Sequence, residues 1–346
     1  MPSFATRFVT SIVSERPGLQ RVVLDSGRRA YVLTEVVGPV AAGDEVVVNT
    51  TAVDLDLGTG GYDVVHWNLA RRSWSGSHGG HILKLRYTSV QADVGAAEEG
   101  ADYRPPASLD GLPVVVCGLH SQVAAVAVAF KHARPARRLV YVMTDQAALP
   151  LALSDLVAGL RGAGLLDATV TAGHAFGGDH EAVNTPSALE VAVAVARADA
   201  VVVAAGPGSA GTGTRHGFGA LDAAAVIDAA ARAGACPVMA LRWSGADPRP
   251  RHRGLSQHTV AALDLAARPA VLAVPRGREV PEVPRHRSIV VDVPDVAALL
   301  ASRSVTVTTM GRSPAEDPLF FEYAGAAGIA AAGALEPSPR DGSVPV

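Results

Sequence analysis

Lysine is nearly missing from this 346-residue chain: it occurs only at Lys84 and Lys131, while Lys and Arg together number 30. Schiff-base chemistry and P-loop phosphate contacts are therefore excluded everywhere but at those two positions. Cysteine is equally scarce. Cys117 and Cys236 lie in separate apolar segments, so no disulfide framework is expected and a reducing cytoplasm fits. No block of like charges occurs and the formal net charge is -3, which gives no general field for nucleic acid or an anionic membrane. Neither is expected as a partner. Apolar runs stop short of membrane-spanning length, because even "VAVAVARADAVVVAA" is cut by Arg197 and Asp199, and the N-terminal "MPSFATRFVTSIVSERPG" alternates instead of forming an apolar leader. These absences point to a globular cytoplasmic protein. Its 49% hydrophobic content and its length leave room for two domains.

What is present divides at a change of period. Up to residue 91 the chain reads as short alternating strands, among them "TRFVTSIV", "QRVVLDSGRRAYVL", "DEVVVNTTAV" and "YDVVHWNL". About five such strands predict a small β-barrel of the OB or SH3 kind. Residues 92–111 are polar, carry a Pro pair and lack periodicity, which predicts a linker. From 112 to 332 apolar strands alternate with Ala-rich helical stretches. This predicts a Rossmann-like α/β domain, a mainly parallel sheet with helices on both faces. "SIVVDV" and "SVTVTTMG" are expected to extend that sheet, and residues 333–346 to be a disordered tail.

Ligands of open parallel sheets bind beyond the carboxyl ends of the strands, so the segments after each strand are the places to look. They are "GLHSQ", "TDQAALP", "GHAFGGDHEAVNTPS", the loop from Gly206, "RWSGADP" and "TMGRSPAED". All are rich in small or functional side chains. The opposite ends read as plain connectors such as "ARPAR". His174 with Asp179 is the expected acid/base pair, with His120 and Asp145 as further catalytic candidates.

"AGPGSAGTGTRHGFG" (205–219) places six glycines after a buried strand. Gly206, Gly208 and Gly211 match G-x-G-x-x-G, but the helical pattern begins only near Leu221 and the next strand ends in Arg242, so an ordinary NAD site is disfavoured. The spacing from Gly208 to Thr214 resembles a P-loop without its lysine. What remains is an anion cradle. Gly206, Gly208, Gly211, Thr212, Gly213 and Thr214 would surround an oxyanion or the phosphate of a nucleotide, and Arg242, Arg312 and Lys84 would add charge. The plainer alternative is a tight crossing of backbones that needs glycine for space.

The eleven histidines include His78 and His81 in "SHGGH", and His174 and His180 around Asp179. None of these spacings matches a metal signature such as H-E-x-x-H, and no metal or cofactor is assigned. His132, His252 and His286 are expected at the surface. Ser121 is expected as the N-cap of the helix that follows, not as a nucleophile, since no G-x-S-x-G elbow occurs.

Taken together, "LGTGGYDVVHWNL", "HGGHILKLRYTSVQ", "LHSQ", "GHAFGGDHEAVNTPSAL", "GPGSAGTGTRHGFG", "LSQHTVAALDLA" and "TMGRSPAEDPLFF" resemble a bacterial family of proteins of unknown function, mainly actinobacterial and firmicute. The resemblance covers nearly the whole chain and implies no activity. On the residues alone, the expectation is an enzyme acting on a small anionic ligand at the carboxyl ends of a parallel sheet, with homo-oligomers possible. A metabolite-sensing protein and a metal-dependent hydrolase are the alternatives.

Overall fold

A computed structural model describes residues 1–76 and 79–335; His78 and positions 336–346 of the expected tail lie outside the described residues. The alternating segments form β1 (Phe4–Arg16), β2 (Leu19–Leu24), β3 (Arg29–Leu33), β4 (Glu45–Asn49) and β5 (Tyr62–Asn68), closed into a barrel in the order β1-β2-β3-β5-β4. Parallel pairing of β3 with β5 completes it. β1 serves two neighbours, with residues 4–8 on β4 and residues 9–16 on β2, and register shifts after Val9 and Ile12 bend it between them. Every second residue points inward. Val9, Val22, Leu24, Ala30, Val32, Val46, Val48 and Val65 fill the interior.

A hairpin of β6 (Ile82–Lys84) and β7 (Ala92–Val94) follows, and Ala96 bridges to Glu181 of the second domain. The stretch expected as a linker therefore begins inside a hairpin. Further on, Leu109 is buried in the α/β core and its N–H donates to the Ala233 carbonyl.

The α/β domain is built from β8 (Pro113–Cys117), β9 (Leu139–Thr144), β10 (Ala168–Thr171), β11 (His180–Glu181), β12 (Ala200–Ala205), β13 (Cys236–Ala240), the small antiparallel pair β14 (Trp243–Ser244) and β15 (Gly254–Leu255), β16 (Val271–Pro275) and β17 (Arg287–Val291). Its helices are α1 (Gln122–Ala133), α2 (Asp155–Gly162), α3 (Thr185–Ala194), α4 (Ala223–Arg232), α5 (Gln257–Leu265), α6 (Val296–Ser302) and α7 (Pro318–Gly333). Eight strands pair in the order β11-β10-β9-β12-β8-β13-β16-β17, all parallel. α1, α2, α6 and α7 cover one face and α3, α4 and α5 the other, which is why the central strands are apolar on both sides.

Chain direction decides where a crevice opens. After β8 the chain leaves through α1 to one face, and after the adjacent β12 it leaves through α4 to the other. Right-handed crossovers require this split, and it opens a crevice between the two carboxyl ends.

"SVTVTTMG" is a correction: it is no strand, and only an isolated bridge joins Thr309 to Arg312. Val307 is buried in the core and the half-buried Val305 packs against it, so the alternation is satisfied without ladder pairing. Among the described residues no helix is long and apolar enough to cross a membrane.

Candidate functional site

The crevice is floored by the ends of β8 and β12 and walled by Gly118–His120, Thr144, Gln146, Gly206, Gly208, Ser209 and Asp222. A smaller recess shares Gly118, Leu119 and Ala220 with it and reaches Arg242 and His258.

His120 forms part of the wall and is held at both ring nitrogens. Ser154 Oγ accepts the Val157 N–H as the cap of α2 and lies 2.7 Å from His120 Nε2, so its hydroxyl hydrogen is free to be donated there. Nδ1–H then faces the Ala205 carbonyl at 3.0 Å. Burial pushes the imidazole down to about 4, the Ala205 contact opposing it. At neutral pH this ring is a fixed neutral wall. Ser121 stands before α1 as expected, yet its side chain caps nothing; Gln122 Oε1 takes the Leu119 N–H instead.

Asp222 lines the far side, whereas Asp145, a catalytic candidate, does not line the crevice. Asp145 accepts the His174 backbone N–H at 2.9 Å. Asp222, at the end of the short turn Gly219–Asp222 that leads into α4, faces the crevice. Burial raises its pKa; a hydrogen bond from Thr144 works against this, and the charge of Asp145 adds to it. Sequence reasoning passed over Asp222. The signal available was an acidic residue at a helix start just beyond a glycine loop.

The glycine loop combines both readings of its sequence. A Cβ on Gly206 would fall inside the Ala148 carbonyl, and one on Gly217 inside the hydroxyls of Thr212 and Thr214, so these two positions are needed for close approach. Gly208 and Gly213 take positive φ. Thr212 and Thr214 bond each other at 2.9 Å, Thr214 accepts the Gly217 N–H, and Gly211 bridges Phe218. The part from Gly211 to Gly217 is thus folded on itself. Gly206, Gly208 and Ser209 are the part that lines the crevice.

The expected pair of His174 and Asp179 is not brought together. Asp179 takes Arg161 and both the backbone N–H and hydroxyl of Thr169. His174 Nδ1 accepts the Leu85 N–H at 3.0 Å. Lys84 is fully buried and its ammonium is spent on the carbonyls of Ala175 (2.9 Å) and Ala182 (3.1 Å) and on Glu181 at 3.1 Å. It ties the hairpin to the sheet. His81 pairs with Glu99 at 2.7 Å. Among the described residues no group of three or more His, Cys, Asp or Glu side chains is placed to hold a metal, and His78 lies outside them.

Arg242 and Arg312 end in a buried charge cluster. Asp247 receives Arg242 (3.2 Å), Arg249 (2.8 Å) and Arg312 (3.3 Å), while Asp317 receives Arg312 at 3.1 Å and the Ser244 hydroxyl at 2.5 Å. Burial, then the neighbouring Arg249, push Arg242 down to about 10. Next to this cluster lies His252, a second correction: it is buried, not at the surface. The ring donates or accepts with Ser256 at 2.8 Å and accepts from Arg251 Nε at 3.1 Å, which sequence neighbours alone do not reveal. His286 is half-buried, its ring accepting the Ala270 N–H, and His132 is exposed.

A family model described as "Protein of unknown function (DUF3866)" matches residues 29–328. No curated protein matches the chain.

Proposed function

The chain belongs to the DUF3866 family, whose description carries no activity, and on that premise we propose that the crevice between β8 and β12 binds a small ligand bearing an anionic group and that Asp222 exchanges a proton with it. The observation that carries the reading is the half-buried Asp222 carboxyl facing the crevice, its pKa raised by burial. Burial that raises the pKa of this carboxyl favours its protonated form, which donates a hydrogen bond to an anion instead of repelling it and has a proton to transfer. The N-terminus of the twelve-residue α1, behind Gly118–His120, supplies the complementary dipole, since the Leu119 N–H is taken by Gln122 and the Arg242 guanidinium by Asp247. Two free cysteines fit a reducing cytoplasm as the place of action.

A non-catalytic sensing role is the second reading, favoured by one continuous path. Ser154 touches His120 of the crevice, and the next residue, Asp155, pairs with Arg16 (2.6 Å) and Arg21 (2.7 Å) of the barrel. Ligand in the crevice would be felt by the barrel through those contacts. The test is a thermal-shift screen of nucleotides, sugar phosphates and carboxylates, repeated on Asp222→Asn. A ligand at about a hundred times its Kd stabilises by roughly 2.7 kcal/mol. Turnover lost with binding kept in Asp222→Asn supports the enzyme reading. Binding without turnover in the wild type supports sensing. A ligand that stabilises the protein while leaving every crevice resonance unmoved overturns the site.

A further inference from the structure

Beyond the crevice, the end of β10 holds a contact that the hydrogen bonds of the described residues leave incomplete. His174 Nδ1 accepts a hydrogen bond from the Leu85 backbone N–H, a group that can only donate. Nδ1 is therefore unprotonated, and the neutral ring carries its hydrogen on Nε2. Arg86 Nη2 lies 3.1 Å from that same Nε2. A guanidinium has no lone pair to offer. Two donors thus converge with no acceptor between them among the described residues.

The backbone that presents this pair is itself strained. Leu85 and Tyr87 both have positive φ, 51° and 60°. The turn between them is closed by the Thr88 N–H and hydroxyl on the Leu85 carbonyl. It gives Tyr87 a conformation that turns usually reserve for glycine. Tyr87 is 99% exposed, so no packing of its side chain repays the strain. Strain of this kind persists where surrounding structure imposes it, and it clusters at ligand-binding positions. Here Lys84, one residue before, fixes the start of the turn by its buried ion pair.

We propose that Arg86 and His174 form an oxyanion subsite, in which a carboxylate or phosphate group takes one hydrogen bond from the guanidinium and one from His174 Nε2–H. Planar guanidinium donors match such groups in geometry. Asp145 relates the subsite to the crevice: it accepts the His174 backbone N–H and stands in the chain between Thr144 and Gln146, both of which line the crevice. The inference rests on the crevice reading only for what the anion belongs to: it would be the handle of the ligand whose reacting part lies at Asp222. The subsite itself stands on its own donors.

The test needs no identified ligand. Inorganic phosphate and acetate are titrated separately into ¹⁵N-labelled protein while the His174 ring nitrogens and the Arg86 Nε–H are followed by NMR, in the wild type, Arg86→Met and His174→Asn. Saturable shifts at both side chains with either anion, weakened at least tenfold in Arg86→Met, are expected. Response to phosphate alone identifies a phosphoryl handle, and response to acetate as well identifies a carboxylate-sized one. Non-saturating shifts, or equal binding in Arg86→Met, overturn the subsite. So does a His174 found protonated at Nδ1. Because Asp222→Asn leaves these donors in place, the same titration on that variant separates failure of the subsite from failure of the crevice reading.

Discussion

Replacing Lys84 by Met should destabilise the protein more than any single surface change, and the size follows from its surroundings. The ammonium is fully buried, donates to the Ala175 and Ala182 carbonyls and lies 3.1 Å from Glu181 Oε2. Burial pulls its pKa down while Glu181 pulls it up; Glu181 is raised by burial with Lys84 opposing. Met keeps the volume of the stem but leaves a buried carboxylate unpaired, which costs about 3–5 kcal/mol. The sign of the pH dependence is fixed as well. An acid whose folded pKa is raised penalises the folded state as pH rises, since the unfolded chain gives up its proton first. Without Lys84 this rise is larger, so the loss of stability in the variant is greatest at pH 8 and shrinks at pH 5, where Glu181 is nearer protonation. Urea unfolding at the two pH values measures both effects. Adding Glu181→Gln to Lys84→Met should recover part of the loss at pH 8. A loss below about 1 kcal/mol, or one independent of pH, would refute the claim that this pair anchors the hairpin.

His120 makes a separate acid prediction. Its folded pKa of about 4 lies below the unfolded value, so stability falls as pH drops below about 6.5, by roughly 2 kcal/mol at pH 5; His120→Asn should lack this component in the same unfolding series. Gly206→Ala sets a Cβ against the Ala148 carbonyl and is expected to cost roughly 1–3 kcal/mol, whereas an alanine at exposed Gly43 meets nothing and costs only backbone strain; comparable melting temperatures for the two would count against the close approach. Asp222→Asn should abolish turnover of any ligand found while the fold, followed by circular dichroism, stays intact; retained turnover removes Asp222 from the chemistry.

Local pattern determined a good deal. Period-two alternation in residues 1–68 specified a small barrel, because each such strand has one face that only an enclosed interior can bury. Strands without a polar face, such as "PVVVC" and "LVYVM", specified a sheet covered on both sides, and therefore at which ends a crevice opens. The glycines at 206 and 208 were legible as places where backbone crowds or turns, because no other residue meets that demand. Tertiary structure decided the rest, since the partners are distant in sequence. β12 inserts between β9 and β8, which brings Gly206 beside His120, 86 residues apart, and makes this pair of strands the switch point. Asp179 goes to Thr169 and Arg161, Lys84 to a buried glutamate, and Arg242 with Arg312 to Asp247, although each carried the look of a site residue. A side chain's charge is written in the sequence, but whether it faces a ligand or an internal counter-charge depends on which carbonyls and carboxylates the fold places within about 3 Å of it.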